Sequence, residues 1–129
     1  MERFYIDIKC DFEELWRYNI IAMAGVFVGG EQVDVLKHAS EVAPVGAMLS
    51  AAPEGYIANR NFSLTSDPAE ALTLYIYIIP HTFPKGLVIA DVEPFELDVV
   101  VRHGTRTVHK HRYEINQWSG ENIEIKIGM

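Results

Sequence analysis

The chain contains a single cysteine, Cys10, so an internal disulfide and a thiolate metal cluster are both excluded. Cys10 continues the alternation of Phe4, Ile6 and Ile8 and reads as a small buried hydrophobe. Long apolar runs are missing too. The longest, IIAMAGVFVGG over residues 20–30, is shorter than the roughly 20 apolar residues a membrane-spanning helix needs. The N-terminal stretch MERFYIDIKCDFEELWRYN mixes acids into its apolar residues. It has no basic segment leading into an apolar core, so it does not read as a signal peptide. A cytoplasmic location is the default reading, although an exported chain trimmed of its signal would read the same. Basic charge is also in deficit, with 11 Lys and Arg against 18 Asp and Glu and a net charge of −7. Nucleic-acid affinity rests on Lys and Arg neutralising phosphates. The one basic cluster is Arg102, Arg106, Lys110 and Arg112, so no nucleic-acid partner is expected.

Catalytic signatures are absent as well. No G-x-S-x-G elbow positions a serine nucleophile. The glycines of GVFVGG have neither the spacing nor the following helix of a dinucleotide fingerprint. In HTFPKG, Lys85 precedes Gly86 rather than following a phosphate-cradling loop. Glu13 and Glu14 are adjacent, and Asp91 and Glu93 sit two apart. Neither pair comes with an aromatic cleft, so both read as solvated surface. The expectation is a protein that is not an enzyme and carries no required cofactor.

What is present is a succession of strands. At 129 residues the chain is the size of one domain, 1–129, able to bury a core without staples. RFYIDIK alternates with period two. DFEELWRYN offers Asp11 as a helix N-cap with Glu14 three residues on, and predicts one short helix near residues 12–18. YNIIAMAGVFV and EQVDVLK are joined at Gly29-Gly30 as a hairpin. Residues 38–68 are rich in Ala, Ser, Pro and Gly and read as a long connection with one short strand in GYIANRNFSLT. SDPAEA reads as a helical turn with Pro68 in its first positions. LTLYIYIIP places Leu72, Leu74, Ile76 and Ile78 on one face and Tyr75 and Tyr77 on the other. LVIADV, FELDVVV, TVHKHRYEI and NIEIKI follow as strands. About nine strands with short turns predict a mainly β fold, an antiparallel β-sandwich of Greek-key-like type with one short helix.

The stretch RHGTRTVHKHRYEI holds three of the five histidines. A two-residue loop at Gly104-Thr105 would place Asp98, His109 and His111 together on one face, a ligand set for zinc or a similar divalent metal. It would also turn Lys110 and Arg112 toward the Leu97 face. A three-residue loop would put both histidines on the valine face with no carboxylate beside them, because a one-residue slip exchanges the faces. Both registers stay open in the sequence. Trp16, Tyr18, Tyr56, Phe83, Tyr113 and Trp118 fall at expected element ends, where they plug the core or form a small-molecule or carbohydrate contact surface. The leading expectation is a protein-interaction or structural module that forms a homo-oligomer or docks a protein partner. The alternative is a ligand-binding sandwich, with a divalent metal at Asp98, His109 and His111 or a small molecule at the aromatics.

Overall fold

The computed structural model describes residues 1–84 and 92–129. The strand expected in LVIADV lies outside the described residues apart from Val92. The fold is a mainly β sandwich of two packed antiparallel sheets. Its strands are β1 (Phe4–Lys9), β2 (Tyr18–Val28), β3 (Glu31–Ser40), β4 (Asn61–Thr65), β5 (Ala71–Pro80), β6 (Phe95–His103), β7 (Arg106–Ile115) and β8 (Glu121–Ile127). One sheet has the order β4-β1-β6-β7 and the other β3-β2-β5-β8. Among the described residues, only β2–β3 and β6–β7 pair strands adjacent in sequence within the sheets.

The period-two pattern builds the core. Phe4, Ile6 and Ile8 of β1 and Leu97, Val99 and Val101 of β6 point inward from one sheet. They meet Ala22 and Ala24 of β2, Leu72, Leu74, Ile76 and Ile78 of β5, and Ile123 and Ile125 of β8. Each large side chain buried in this way contributes about 1.5–3 kcal/mol. His38 of β3 stacks on Phe62 of β4 at 4.3 Å and closes one side of the sandwich.

Two local expectations are corrected. The helix over 12–18 is only a 3-10 turn, Leu15–Arg17, and neither Asp11 nor Glu14 caps it with a side chain. Arg60 explains this: its Nη1 donates to the carbonyls of Asp11 (2.8 Å) and Phe12 (2.9 Å), which a helix starting there would use itself. SDPAEA forms no helical turn either. Ser66 Oγ accepts from the Phe4 amide at 2.9 Å, and the Ala69 amide donates to the Glu2 carbonyl at 3.0 Å. Those bonds tie the segment, bent at Asp67 and Pro68, to the start of the chain.

The Gly29-Gly30 hairpin forms as expected, with both glycines at positive φ, 60° and 80°. That is the twist-matched two-residue turn that needs left-handed backbone at both positions.

Candidate functional site

The histidine hairpin forms by a route the two sequence registers did not contain. His103 pairs with Arg106, so the loop is the two-residue Gly104-Thr105, with Gly104 at φ 63°. The register then shifts between Val101 and Arg102, because Arg102 pairs with Thr107 and Val101 with His109. Val108 is the extra residue of a β-bulge. Beyond it Val99 pairs with His111, Leu97 with Tyr113, and Asp98 with Arg112. The two-residue turn is present, and the bulge reverses its consequence.

Asp98 is therefore separated from the histidines. It faces outward, where Arg112 Nε donates to Oδ1 at 2.8 Å. That bond holds the Asp98 carboxyl below its ordinary range. Arg112 also lies 3.3 Å from Glu96. His109 and His111 lie on the valine side, grouped with Tyr113: His109 Nε2 is 3.0 Å from the Tyr113 hydroxyl, and the His111 ring meets Tyr113 edge-on at 4.5 Å. The arrangement that would join Asp98, His109 and His111 on one face is not the one formed. The physical reason is charge. Without the bulge, Lys110 and Arg112 would face the buried Leu97 and Val99; with it they return to solvent and to Asp98. Among the described residues, no group of three or more His, Cys, Asp or Glu stands together as a metal-ligand set. His103 is elsewhere again, stacked on Phe4 at 4.0 Å.

The His109 group sets a pH dependence. Partial burial, reinforced by the neighbouring His111, lowers the His109 pKa below its ordinary 6.5. The unfolded chain therefore binds a proton more readily than the folded one. The stability this residue contributes is complete above pH 6.5 and is lost as pH falls from there through the lowered folded value. Urea unfolding at pH 7.5 and pH 5.5 should show lower stability at the acid value, with a smaller loss in His109→Gln. An equal loss in both proteins would count against the assignment.

The two outward faces differ sharply. On β1 and β6, the central strands of one sheet, outward positions include Asp7, Lys9, Glu96, Asp98 and Arg102. Arg102 lies 3.9 Å from Asp7 and over the Tyr5 ring at 5.1 Å, so much of the basic cluster is matched by acids. On β2 and β5, the central strands of the other sheet, the outward positions are Asn19, Ile21, Met23, Gly25 and Phe27, then Ala71, Thr73, Tyr75, Tyr77 and Ile79. None is charged. The flanking strands complete its rows: Lys37, Met23, Tyr75 and Glu124 form one, and Ala39, Ile21, Tyr77 and Asn122 the next. A lysine thus bounds the apolar stripe on one edge, and on the other Glu124 with its ion-pair partner Lys126 at 3.4 Å. The signal was legible in sequence, since residues 18–28 and 71–80 contain no Asp, Glu, Lys or Arg.

Of the aromatics, Tyr18 is buried, and its hydroxyl donates to the Gln117 carbonyl at 2.6 Å. Burial pushes its pKa up to about 12. Phe83 stacks on Trp118 at 5.5 Å. Cys10 is buried as expected, and burial raises its thiol pKa. No helix among the described residues is long and apolar enough to cross a membrane. Compared with protein-family models, with curated proteins and with solved structures, the chain matches none.

Proposed function

We propose that the protein is a non-enzymatic interaction module that self-associates, one copy against another, through the outward face of the β3-β2-β5-β8 sheet. The observation that carries this reading is the uncharged outward surface of β2 and β5, set against the charged surface of β1 and β6. On this face Ile21, Met23, Phe27, Tyr75, Tyr77 and Ile79 are partly exposed, while Asn19, Gly25, Ala71 and Thr73 between them are buried. Apolar surface left open on a sheet face supports an interaction site.

The edges of the sheets are poorer candidates. Strands β3 and β7 carry bulges, β4 has five residues, and β8 presents Glu121, Glu124 and Lys126. All are devices that discourage strand-to-strand pairing.

Charge complementarity favours a second copy as the occupant. A two-fold axis lying in the interface and parallel to the strands exchanges the two edges of the face. Lys37 of one copy then lies over Glu124 of the other, and Met23 over Tyr75, a favourable sulfur–aromatic contact. A two-fold across the strands would oppose Lys37 to itself. Strand spacing gives the four-stranded face a projected area of roughly 550 Å². A stable interface buries about 800 Å² per partner, so the association should be micromolar rather than nanomolar. Light scattering across a concentration series into the hundreds of micromolar should show a monomer giving way to a dimer. A constant monomer mass throughout would defeat the proposal.

A further inference from the structure

Strand β7 lies at the open edge of its sheet. Beyond the bulge at Val108, His109, His111 and Tyr113 stand in one row along it. Side chains two apart on a strand share a face, so the two imidazoles are neighbours, with ring centroids 6.4 Å apart. His111 is exposed and His109 half-buried, so solvent reaches the pair. Tyr113 anchors it. Its hydroxyl lies 3.0 Å from His109 Nε2, and its ring meets His111 edge-on. An Nε2–H donated to the Tyr113 oxygen leaves the lone pair of His109 Nδ1 free. Among the described residues, no hydrogen bond engages that Nδ1 or either ring nitrogen of His111. The cationic neighbours point elsewhere. Arg112 is held by Asp98 and Glu96, Lys110 opens onto the outward face beside Val100, and Arg106 stands at the turn opposite His103. Among the described residues, only His111 acts on His109 through charge.

We infer that His109 and His111 chelate a copper(II) ion, with Tyr113 as the positioning residue that orients His109. The reach is sufficient. Two imidazoles on one ion, with metal–nitrogen bonds of about 2.0 Å, set their centroids roughly 4.5–6.5 Å apart. The observed spacing falls at the top of that range, and the exposed His111 ring can shorten it by rotating about its own side-chain bonds. Ligand number selects the metal. Structural zinc takes four protein ligands and catalytic zinc three. Here two imidazoles converge without a carboxylate, because Arg112 holds Asp98. Copper(II) heads the divalent affinity order for nitrogen ligands and accepts a planar set that water completes. The inference stands apart from the self-association proposal, since it uses an edge strand of the other sheet.

The test is a calorimetric titration of the full chain with copper(II) chloride in a non-coordinating buffer at neutral pH, followed by electron spin-echo spectroscopy of the loaded protein. One ion should bind per chain with a Kd of about micromolar or below, with two imidazoles coupled to it. Zinc chloride should bind at least about tenfold more weakly. His111→Gln sits at an exposed edge position, so it should keep the fold, lower copper affinity at least about tenfold and leave one coupled imidazole. His109→Gln should do the same. Tyr113→Phe should weaken binding several-fold with both imidazoles still coupled, as the loss of an orienting hydrogen bond does. Unchanged copper affinity in His111→Gln, a wild-type spectrum without two imidazoles, or zinc bound as tightly as copper would each overturn the inference.

Discussion

Met23→Lys is expected to leave the protein folded and monomeric under conditions where the wild type is a dimer. Met23 points outward from the middle of β2, paired with Lys37 on one side and Tyr75 on the other. It is partly exposed in the single chain, so a lysine there can reach solvent with its ammonium group and should change stability by about 1 kcal/mol. In the two-fold dimer, however, the position is central and occurs twice. Two unpaired ammonium groups would be desolvated together, costing at least about 3 kcal/mol, a loss of more than about 100-fold in Kd. Val100→Lys, on the outward face of the other sheet, is the matched control and should leave the dimer intact. Sedimentation velocity on the three proteins separates the outcomes. If Met23→Lys dimerises as the wild type does, the face is not the interface.

Among the described glycines, Gly120→Ala is expected to be the most destabilising replacement by alanine. Gly120 ends the turn between β7 and β8 at φ 66°, and its amide donates to the Asn116 carbonyl at 2.8 Å. Asn116 Oδ1 organises the same turn by accepting from the amides of Trp118 and Ser119. A Cβ on residue 120 would fall 1.9 Å from the Ile78 carbonyl oxygen and 3.0 Å from Pro80 Cδ. The obstacle is backbone of the central strand β5, which cannot swing aside as a side chain would. Left-handed backbone adds about 1–2 kcal/mol for a residue with a Cβ, so the total should reach at least about 3 kcal/mol, or roughly 10 °C in Tm. Gly30 supplies the comparison. Its φ is 80°, yet nothing lies within 4 Å of its would-be Cβ. Gly30→Ala should cost only the conformational part, about 1–2 kcal/mol. Equal losses at the two sites in thermal unfolding would mean that close approach to Ile78 does not matter.

How far the sequence could be read depended on whether a feature repeats along the chain. Leu72, Leu74, Ile76 and Ile78 form the inward face of β5, and Phe95, Leu97, Val99 and Val101 that of β6, as their alternation required. The Gly29-Gly30 turn was equally plain. The β-bulge at Val108 was not, because one unpaired residue has no residue-type signature. Yet it decides which way His109 and His111 face, and so parts them from Asp98. The helix expected at 12–18 failed for a different reason: its cap pattern is local, while the Arg60 bonds that displace it come from 48 and 49 residues away. The apolar face was legible once β2 and β5 were assigned. The burial of Arg17 was not, because an arginine between Trp16 and Tyr18 looks like any surface residue until Gln117 arrives from 100 residues away.

The most direct test of self-association through this face is sedimentation equilibrium on four proteins: the wild type, Lys37→Glu, Glu124→Lys, and the double charge exchange. Each rim pair contributes about 0.5 kcal/mol, and opposing like charges cost a similar amount. With two symmetric pairs per dimer, either single substitution should weaken association by about 2 kcal/mol, or roughly 30-fold. The double exchange should restore it, since glutamate then faces lysine again. A wild type that stays monomeric would contradict the interface itself. A dimer indifferent to the single substitutions, or a double exchange as weak as either one, would contradict the strand-parallel two-fold that places Lys37 over Glu124.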